Sequence, residues 1–197
     1  MSLLLDRAYC INLDGQRDRW WEIEPKLEEW NRNERLPEVQ RFPGVDEEAP
    51  PDWERGAALW GCFEAHRRLL GSMRGITRGV LILEDDADIK PGFAGEVVDI
   101  LREFKRARRQ DWSLIYLGGK PLKVSLENVG KAQRAFGVMR RHAYIIREPI
   151  LSALYEDMST ARNIPGDSLM ATFTESRENY KCYYVDLVKQ LGNARDQ

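Results

Sequence analysis

Two rhythms of apolar residues alternate along the chain. Ala8-Tyr9-Cys10-Ile11-Asn12-Leu13, Val80-Leu81-Ile82-Leu83 and Trp112 to Leu117 are short, almost unbroken apolar runs, as expected of strands covered on both faces. Between them, apolar residues recur three or four apart. Trp20, Ile23, Leu27 and Trp30 predict a helix over 17–30. Leu59, Phe63, His66, Leu69, Leu70 and Met73 predict one over 55–74, and Val97, Val98, Ile100, Leu101 and Phe104 one over 93–108. Shorter strands are expected at 39–42, 134–139, 143–146 and 180–185, with an exposed basic turn at Arg140-Arg141-His142. Pro149 suits the first turn of a helix reaching about Ser159, and Pro165-Gly166-Asp167 opens another over 168–174. Residues 120–133 show no clear period and read as a loop, as does 46–52 with its Pro50-Pro51; 192–197 read as a frayed end. Strand alternating with helix predicts an α/β layer fold in a single domain over 1–197.

Composition narrows the classes. A chain of 197 residues can bury a sizeable core. A net charge of −2 gives no general attraction to nucleic acid. Cys10, Cys62 and Cys182 are odd in number and far apart, so they suit neither a disulfide framework nor a zinc cluster, and a reducing cytoplasm is the simpler setting. The opening Met-Ser-Leu-Leu-Leu-Asp-Arg is too short and too soon charged for a signal peptide, and no apolar run is long enough to span a bilayer. Lys105 to Arg109 holds four cations that could meet a membrane surface, although a solvated helix end is the plainer reading. Nothing in the sequence speaks to oligomeric state.

The candidate chemistry lies at the end of the second strong apolar run. Val80 to Leu83 stops abruptly at Glu84, Asp85 and Asp86, with Asp88 two further on. Crowded carboxylates repel unless a cation sits among them, and hard divalent cations prefer carboxylate oxygen. Ligands of open α/β sheets collect at the carboxyl ends of strands, so a metal–nucleotide site is expected here. The plainer alternative is a solvated turn with Asp88 capping the next helix. A receiver-like phosphoryl switch would also begin this way, but the strand ending at Leu117 runs into Gly118-Gly119 with no carboxylate to accept phosphate. An Asp-x-Asp phosphatase would need Asp86 and Asp88 after an extra acidic pair.

Seven segments follow one another in order: Ile11-Asn12-Leu13 with Arg17 and Arg19; Phe42-Pro43-Gly44-Val45-Asp46; Gly61-Cys62 through His66; Ile82-Leu83-Glu84-Asp85-Asp86; Asp111-Trp112 to Tyr116-Leu117-Gly118; Ala143-Tyr144-Ile145-Ile146; and Pro165-Gly166-Asp167. Together they resemble glycosyltransferase family 25, which includes lipooligosaccharide and collagen galactosyltransferases. Two places depart from the family pattern. Ala65 stands where serine usually precedes the histidine, and Ala58-Leu59-Trp60 where an acidic residue is usual. The resemblance implies a GT-A fold, a Rossmann-related mixed sheet flanked by helices. It also implies inverting transfer of a sugar, galactose above all, from a UDP-sugar to a saccharide or glycan acceptor such as a lipopolysaccharide, from the cytoplasmic side of the membrane. Mn2+ or Mg2+ would serve as cofactor.

On this reading Glu84 and Asp86, two apart in an extended segment, share one side and hold the metal, Asp86 most firmly. Asn12, Arg17, Arg19, His66 and Asp85 bind the donor, the arginines offering planar forks to phosphate. Asp167 is the base that takes the acceptor proton. Each has a plainer role: Arg17 and Arg19 as helix-surface cations, His66 as a core histidine, Asp167 as a helix cap. Tyr144 and Trp53 could line an acceptor cleft, though a half-buried strand tyrosine and core packing explain them as well. A catalytically degenerate nucleotide-sugar binding module is the second reading.

Overall fold

A computed structural model describes residues 3–73, 75–109 and 111–191. The elements follow the chain as β1 (Arg7–Asn12), α1 (Arg17–Asn31), β2 (Val39–Pro43), α2 (Ala57–Ser72), β3 (Val80–Glu84), β4 (Ala87–Asp88), α3 (Phe93–Arg106), β5 (Trp112–Gly118), β6 (Lys120–Val129), β7 (Ala132–Met139), β8 (Ala143–Ile146), α4 (Ile150–Thr160), α5 (Gly166–Ser176) and β9 (Lys181–Gln190). One mixed sheet carries the strands in the order β2-β1-β3-β8-β5-β9-β7-β6, and the short β4 pairs with the end of β9. β2, β1 and β3 are mutually parallel. β8 inserts antiparallel between β3 and β5, and β9 runs parallel to β5.

Helices cover both faces and make two cores. β3 shows why its run is apolar without a break. Successive side chains point to opposite faces: Leu81 and Leu83 enter the core built with α1 and α3, while Val80 and Ile82 enter the one built with α2, α4 and α5. All four are fully buried. Truncating Ile82 to Ala would cost about 2–5 kcal/mol.

The segment 120–133 is not a loop. Most of it is the edge strand β6, turning at residues 130–131 into β7, with which it pairs antiparallel. Leu122, Val124 and Leu126 do recur at a spacing of two, but they face solvent. The apolar alternation therefore marks no core face, and the pairing with β7 is irregular between Val124 and Asn128. Residues 192–197, read as frayed, lie outside the described residues.

This topology gathers one functional edge. The carboxyl ends of the parallel strands β1, β3 and β5 lie beside the amino end of β8, where Leu83 pairs with Ala143. No helix among the described residues is long and apolar enough to cross a membrane. In the basic cluster, Arg109 pairs with Glu127 at 3.1 Å.

Candidate active site

Three strands fix the acidic triplet through its backbone. Glu84 N–H donates to the His142 carbonyl (2.8 Å), and Asp85 N–H to that of Ile11 (3.1 Å). Leu191 N–H donates to the Asp86 carbonyl (2.8 Å). Each acid then faces a different neighbourhood.

Asp85 faces β1. Its Oδ2 accepts from Asn12 Nδ2 (2.7 Å) and its Oδ1 from Arg19 (3.2 Å). Asn12 is buried and fully used: Nδ2 also donates to Gln16 O (3.0 Å), and Oδ1 accepts from Arg41 Nε (2.8 Å). Arg41 reaches on to Asp14 (2.6 Å) and lies over the Trp20 ring. Beside this network a cleft of about 500 Å3 is lined by Asn12, Asp14, Arg17, Trp20, Trp21 and Arg41. Trp21 is 67% exposed, so an aromatic face is available to a flat ligand.

Glu84 faces the opposite way, into α2 and β8. Its Oε1 accepts from His66 Nε2 (2.8 Å), and the Cys62 thiol lies 3.7 Å away. The carboxylate needs a proton donor, so Nε2 carries the hydrogen and Nδ1 accepts from the Tyr144 hydroxyl at 2.8 Å. Burial and the charge of Arg141 push the His66 pKa down to about 4, so the ring is neutral at pH 7. Burial opposes ionisation of Glu84, but the His66 hydrogen bond and the positive charge of Arg141 prevail and hold its pKa below the usual value. Arg141 is itself buried, amid Cys62, Tyr144, Glu84 and Asp167.

Asp86 faces β9. Gln190 Nε2 donates to its Oδ2 (2.8 Å), while Oδ1 is buried with no hydrogen-bond partner among the described residues. Burial and the negative charges of Glu84 and Asp85 push its pKa up to about 6. His142 sits alongside, donating from Nε2 to the Val188 carbonyl (3.0 Å) and leaving Nδ1 without a partner among the described residues. The packing is close: a Cβ on Gly118 would fall 2.0 Å from Val188 O and 2.8 Å from His142 Nε2.

Two groups could hold a cation. Cys62, His66 and Glu84 bring their ligand atoms within 4.8 Å of one another. However, both His66 nitrogens are already engaged, and burial pushes the Cys62 thiol far above neutral pH, whereas a metal needs thiolate. That trio is a hydrogen-bonded brace. Asp86 suits a hard divalent cation: its unpaired oxygen is buried, the negative charges of Glu84 and Asp85 are felt there, and oxygen is the ligand Mg2+ and Mn2+ prefer.

Asp167 occupies the first turn of α5. Its Oδ1 accepts from Ser168 N–H (2.8 Å) and its Oδ2 from Arg140 N–H (3.4 Å); the N-cap position itself is Pro165, so Asp167 is not the helix cap. The eight residues nominated from sequence thus divide. Asn12, Arg19 and Asp85 join at β1, with Arg17 on the adjoining cleft. Glu84, His66 and Asp167 surround Arg141, and Asp86 stands apart against β9. Arg41 and Arg141 were missed. Cations in a strand and a turn read as solvated, and only spatial neighbours reveal otherwise. His142 is a correction. It is 2% exposed rather than solvent-facing, because β8 enters the sheet between β3 and β5 and draws the preceding turn under the triplet. Tyr144 is fully buried, and Trp53 packs against Trp60 and Phe63 with its indole N–H bonded to Gly56 O (3.0 Å), so neither lines an open cleft.

A Glycosyltransferase 25 family member of Drosophila melanogaster is 33% identical over 145 residues, 64% of this chain. The chain resembles glycosyltransferase family 25. The likeness covers 23% of the length of that relative. A solved glycosyltransferase involved in the glycosylation of the major capsid of PBCV-1 aligns with a TM-score of 0.51 at 10% identity, over 91% of this chain and 80% of the other. The mixed sheet flanked by helices is therefore GT-A-like, as expected from the sequence. No protein-family model matches the chain.

Proposed function

We propose that this domain transfers a sugar, galactose being the leading candidate, from a UDP-sugar to a hydroxyl of a saccharide or glycan, by an inverting, metal-dependent route. The observation that carries the reading is Asp86: a buried carboxylate with one oxygen unpaired, at the carboxyl end of a central strand and next to a second acidic residue already neutralised by its own partners. The sequence likeness to family 25 and the fold shared with a glycosyltransferase support it.

Each residue then has a task. The uridine lies in the cleft at the end of β1, against Trp20 or Trp21, and Arg17 meets a phosphate oxygen. Asn12, Arg19 and Asp85 hold the wall of that cleft through their mutual hydrogen bonds. Asp86 would hold Mn2+ or Mg2+, with the negative charge of Glu84 contributing, and the cation would supply charge stabilisation for the departing diphosphate. His66 orients Glu84 and keeps it ionised. Asp167 accepts the acceptor proton.

The test is UDP release by purified protein from a panel of nucleotide sugars, with and without Mn2+. Metal-dependent release from one donor, lost in Asp86→Ala, would establish the reading and name the sugar. Metal-dependent UDP binding without turnover, even with a glycan acceptor mixture, would point to the degenerate binding module. Absence of UDP binding would sink both. The receiver-like reading has little support, since the sheet is mixed and β5 ends in glycine.

A further inference from the structure

Among the described Lys and Arg residues none is more buried than Arg141, at 3% exposure. Arg134 is nearly as deep, at 6%, but its guanidinium donates to the carbonyls of Tyr180 and Glu178 at 3.2 Å each. Arg141 differs. Its Nε, Nη1 and Nη2 are all buried, and none reaches hydrogen-bond geometry among the described residues; the Tyr144 hydroxyl interacts with the guanidinium but is aimed at His66 Nδ1 (2.8 Å). Glu84 and Asp167 are close enough to feel its charge, yet each already has another donor, His66 Nε2 and the Ser168 N–H respectively. Burial opposes its charge, but the surrounding groups, Glu84 and Asp167 among them, prevail and hold its pKa above the usual value; what stays unfilled is the fork, and folds retain unfilled buried donors where function uses them.

The second observation is where that fork lies. A Cβ on Gly166 would fall 2.0 Å from Arg141 Nη2. The guanidinium is therefore pressed against the first residue of α5, an eleven-residue helix. A helix N-terminus carries partial positive charge and binds anions through its backbone N–H groups. Two donor sets so close together can be bridged by one anion that meets both. Asp167 satisfies one N–H of this turn but leaves the Arg141 fork unmet. Arg141 also directly precedes His142, whose carbonyl accepts the Glu84 N–H, so the place adjoins the acidic triplet.

We propose that Arg141 and the first turn of α5 form a phosphate cradle that receives the diphosphate of the donor. The proposal rests on the nucleotide-sugar reading and assigns it a residue outside the acidic triplet. Phosphate is favoured over a neutral sugar hydroxyl because both the fork and the helix N-terminus attract negative charge. It is favoured over a single carboxylate because a tetrahedral anion can meet the planar fork and the helix N–H groups together.

The experiment is calorimetric binding of UDP, uridine and inorganic pyrophosphate, with Mg2+ present, to the wild type, Arg141→Met and Arg141→Lys, alongside thermal melts. Arg141→Met should weaken UDP and pyrophosphate by ~10- to 100-fold and leave uridine nearly unchanged. Thermal melts in the absence of ligand check that each variant folds. Arg141→Lys, which keeps the charge but loses the fork, should show a smaller loss for the two phosphate ligands. Unchanged UDP and pyrophosphate affinity in Arg141→Met would overturn the cradle while leaving the nucleotide-sugar reading intact. A lowered Tm with equal losses for UDP and uridine would make Arg141 a structural residue and also overturn it. Arg141-dependent pyrophosphate binding without any affinity for UDP or uridine would keep the cradle and discard the nucleotide-sugar reading. If the Met variant does not fold, the Lys variant decides: weaker UDP with unchanged uridine supports the cradle, and unchanged UDP overturns it.

Discussion

Asp85 and Asp86 are chain neighbours whose carboxylates meet opposite conditions. Asp85 has both oxygens occupied, by Asn12 and Arg19, within a network that continues to Arg41 and Asp14. Asp86 has one oxygen held by Gln190 and the other buried and unpaired. The same contrast separates their surroundings. The β1 side is an open cleft whose wall is already hydrogen-bonded. The β8–β9 side is closed, with unpaired atoms on Asp86, Arg141 and His142. A satisfied network is built to hold a shape. Unsatisfied buried groups destabilise the resting protein and are retained where a bound partner completes them. The difference divides recognition from chemistry along the edge of one sheet.

The sharpest way to break this division is Asp86→Asn, which keeps the shape and the Gln190 contact but removes the charge. Metal-dependent donor hydrolysis should fall by about 100-fold or more, with circular dichroism unchanged; activity within a few-fold of wild type would remove Asp86 from the chemistry. Next in size is His66→Ala. It opens a cavity in the buried side and strands the Tyr144 hydroxyl and the Glu84 carboxylate, so urea denaturation should show a loss of about 3 kcal/mol. A loss below 1 kcal/mol would mean that the Glu84–His66–Tyr144 chain is not the brace described above.

The third prediction uses pH. The Asp86 pKa in the folded protein is about 6, above its ordinary 3.8. Between those values the native state holds a proton that the unfolded chain has released, so this group lowers stability as pH rises through the interval. In metal-free protein, Asp86→Asn should therefore gain stability relative to wild type at pH 7, by up to about 3 kcal/mol, with the gain vanishing near pH 4. Equal Tm values for the two proteins at both pH values would show that Asp86 is not penalised. The smallest effect is expected on the satisfied side. Asn12→Ala should cost about 1–2 kcal/mol and weaken uridine binding, leaving the pH response of Asp86 in place. A change in that response would show that the two sides are coupled.

How much of this was readable in the sequence follows from burial. β1, β3 and β5 announced themselves because each is covered on both faces and so carries an apolar run that few other structures need. The acidic triplet was visible because it interrupts such a run. β6 was hidden because its apolar side chains face solvent and its partner lies on one side only. Arg141 and His142 were hidden for a topological reason. Whether a basic turn is solvated depends on which strand it precedes and where that strand inserts, and β8 inserts beside β3 rather than next to β7. The individual residues could be nominated from the chain, but their division into a satisfied and an unsatisfied group required the register of the sheet.

The clamp that β9 places on Asp86 also has a consequence for synthesis. Asn12 and the triplet leave the ribosome early, and the strands around them can begin to assemble at once. Gln190 and Leu191, which hold the Asp86 side chain and carbonyl, emerge only after nearly every other described residue, as does Val188, which anchors His142. A nascent chain stalled before Val188 would thus carry a formed nucleotide cleft beside an unassembled acidic site. Released fragments of that length should bind nucleoside without turning over donor.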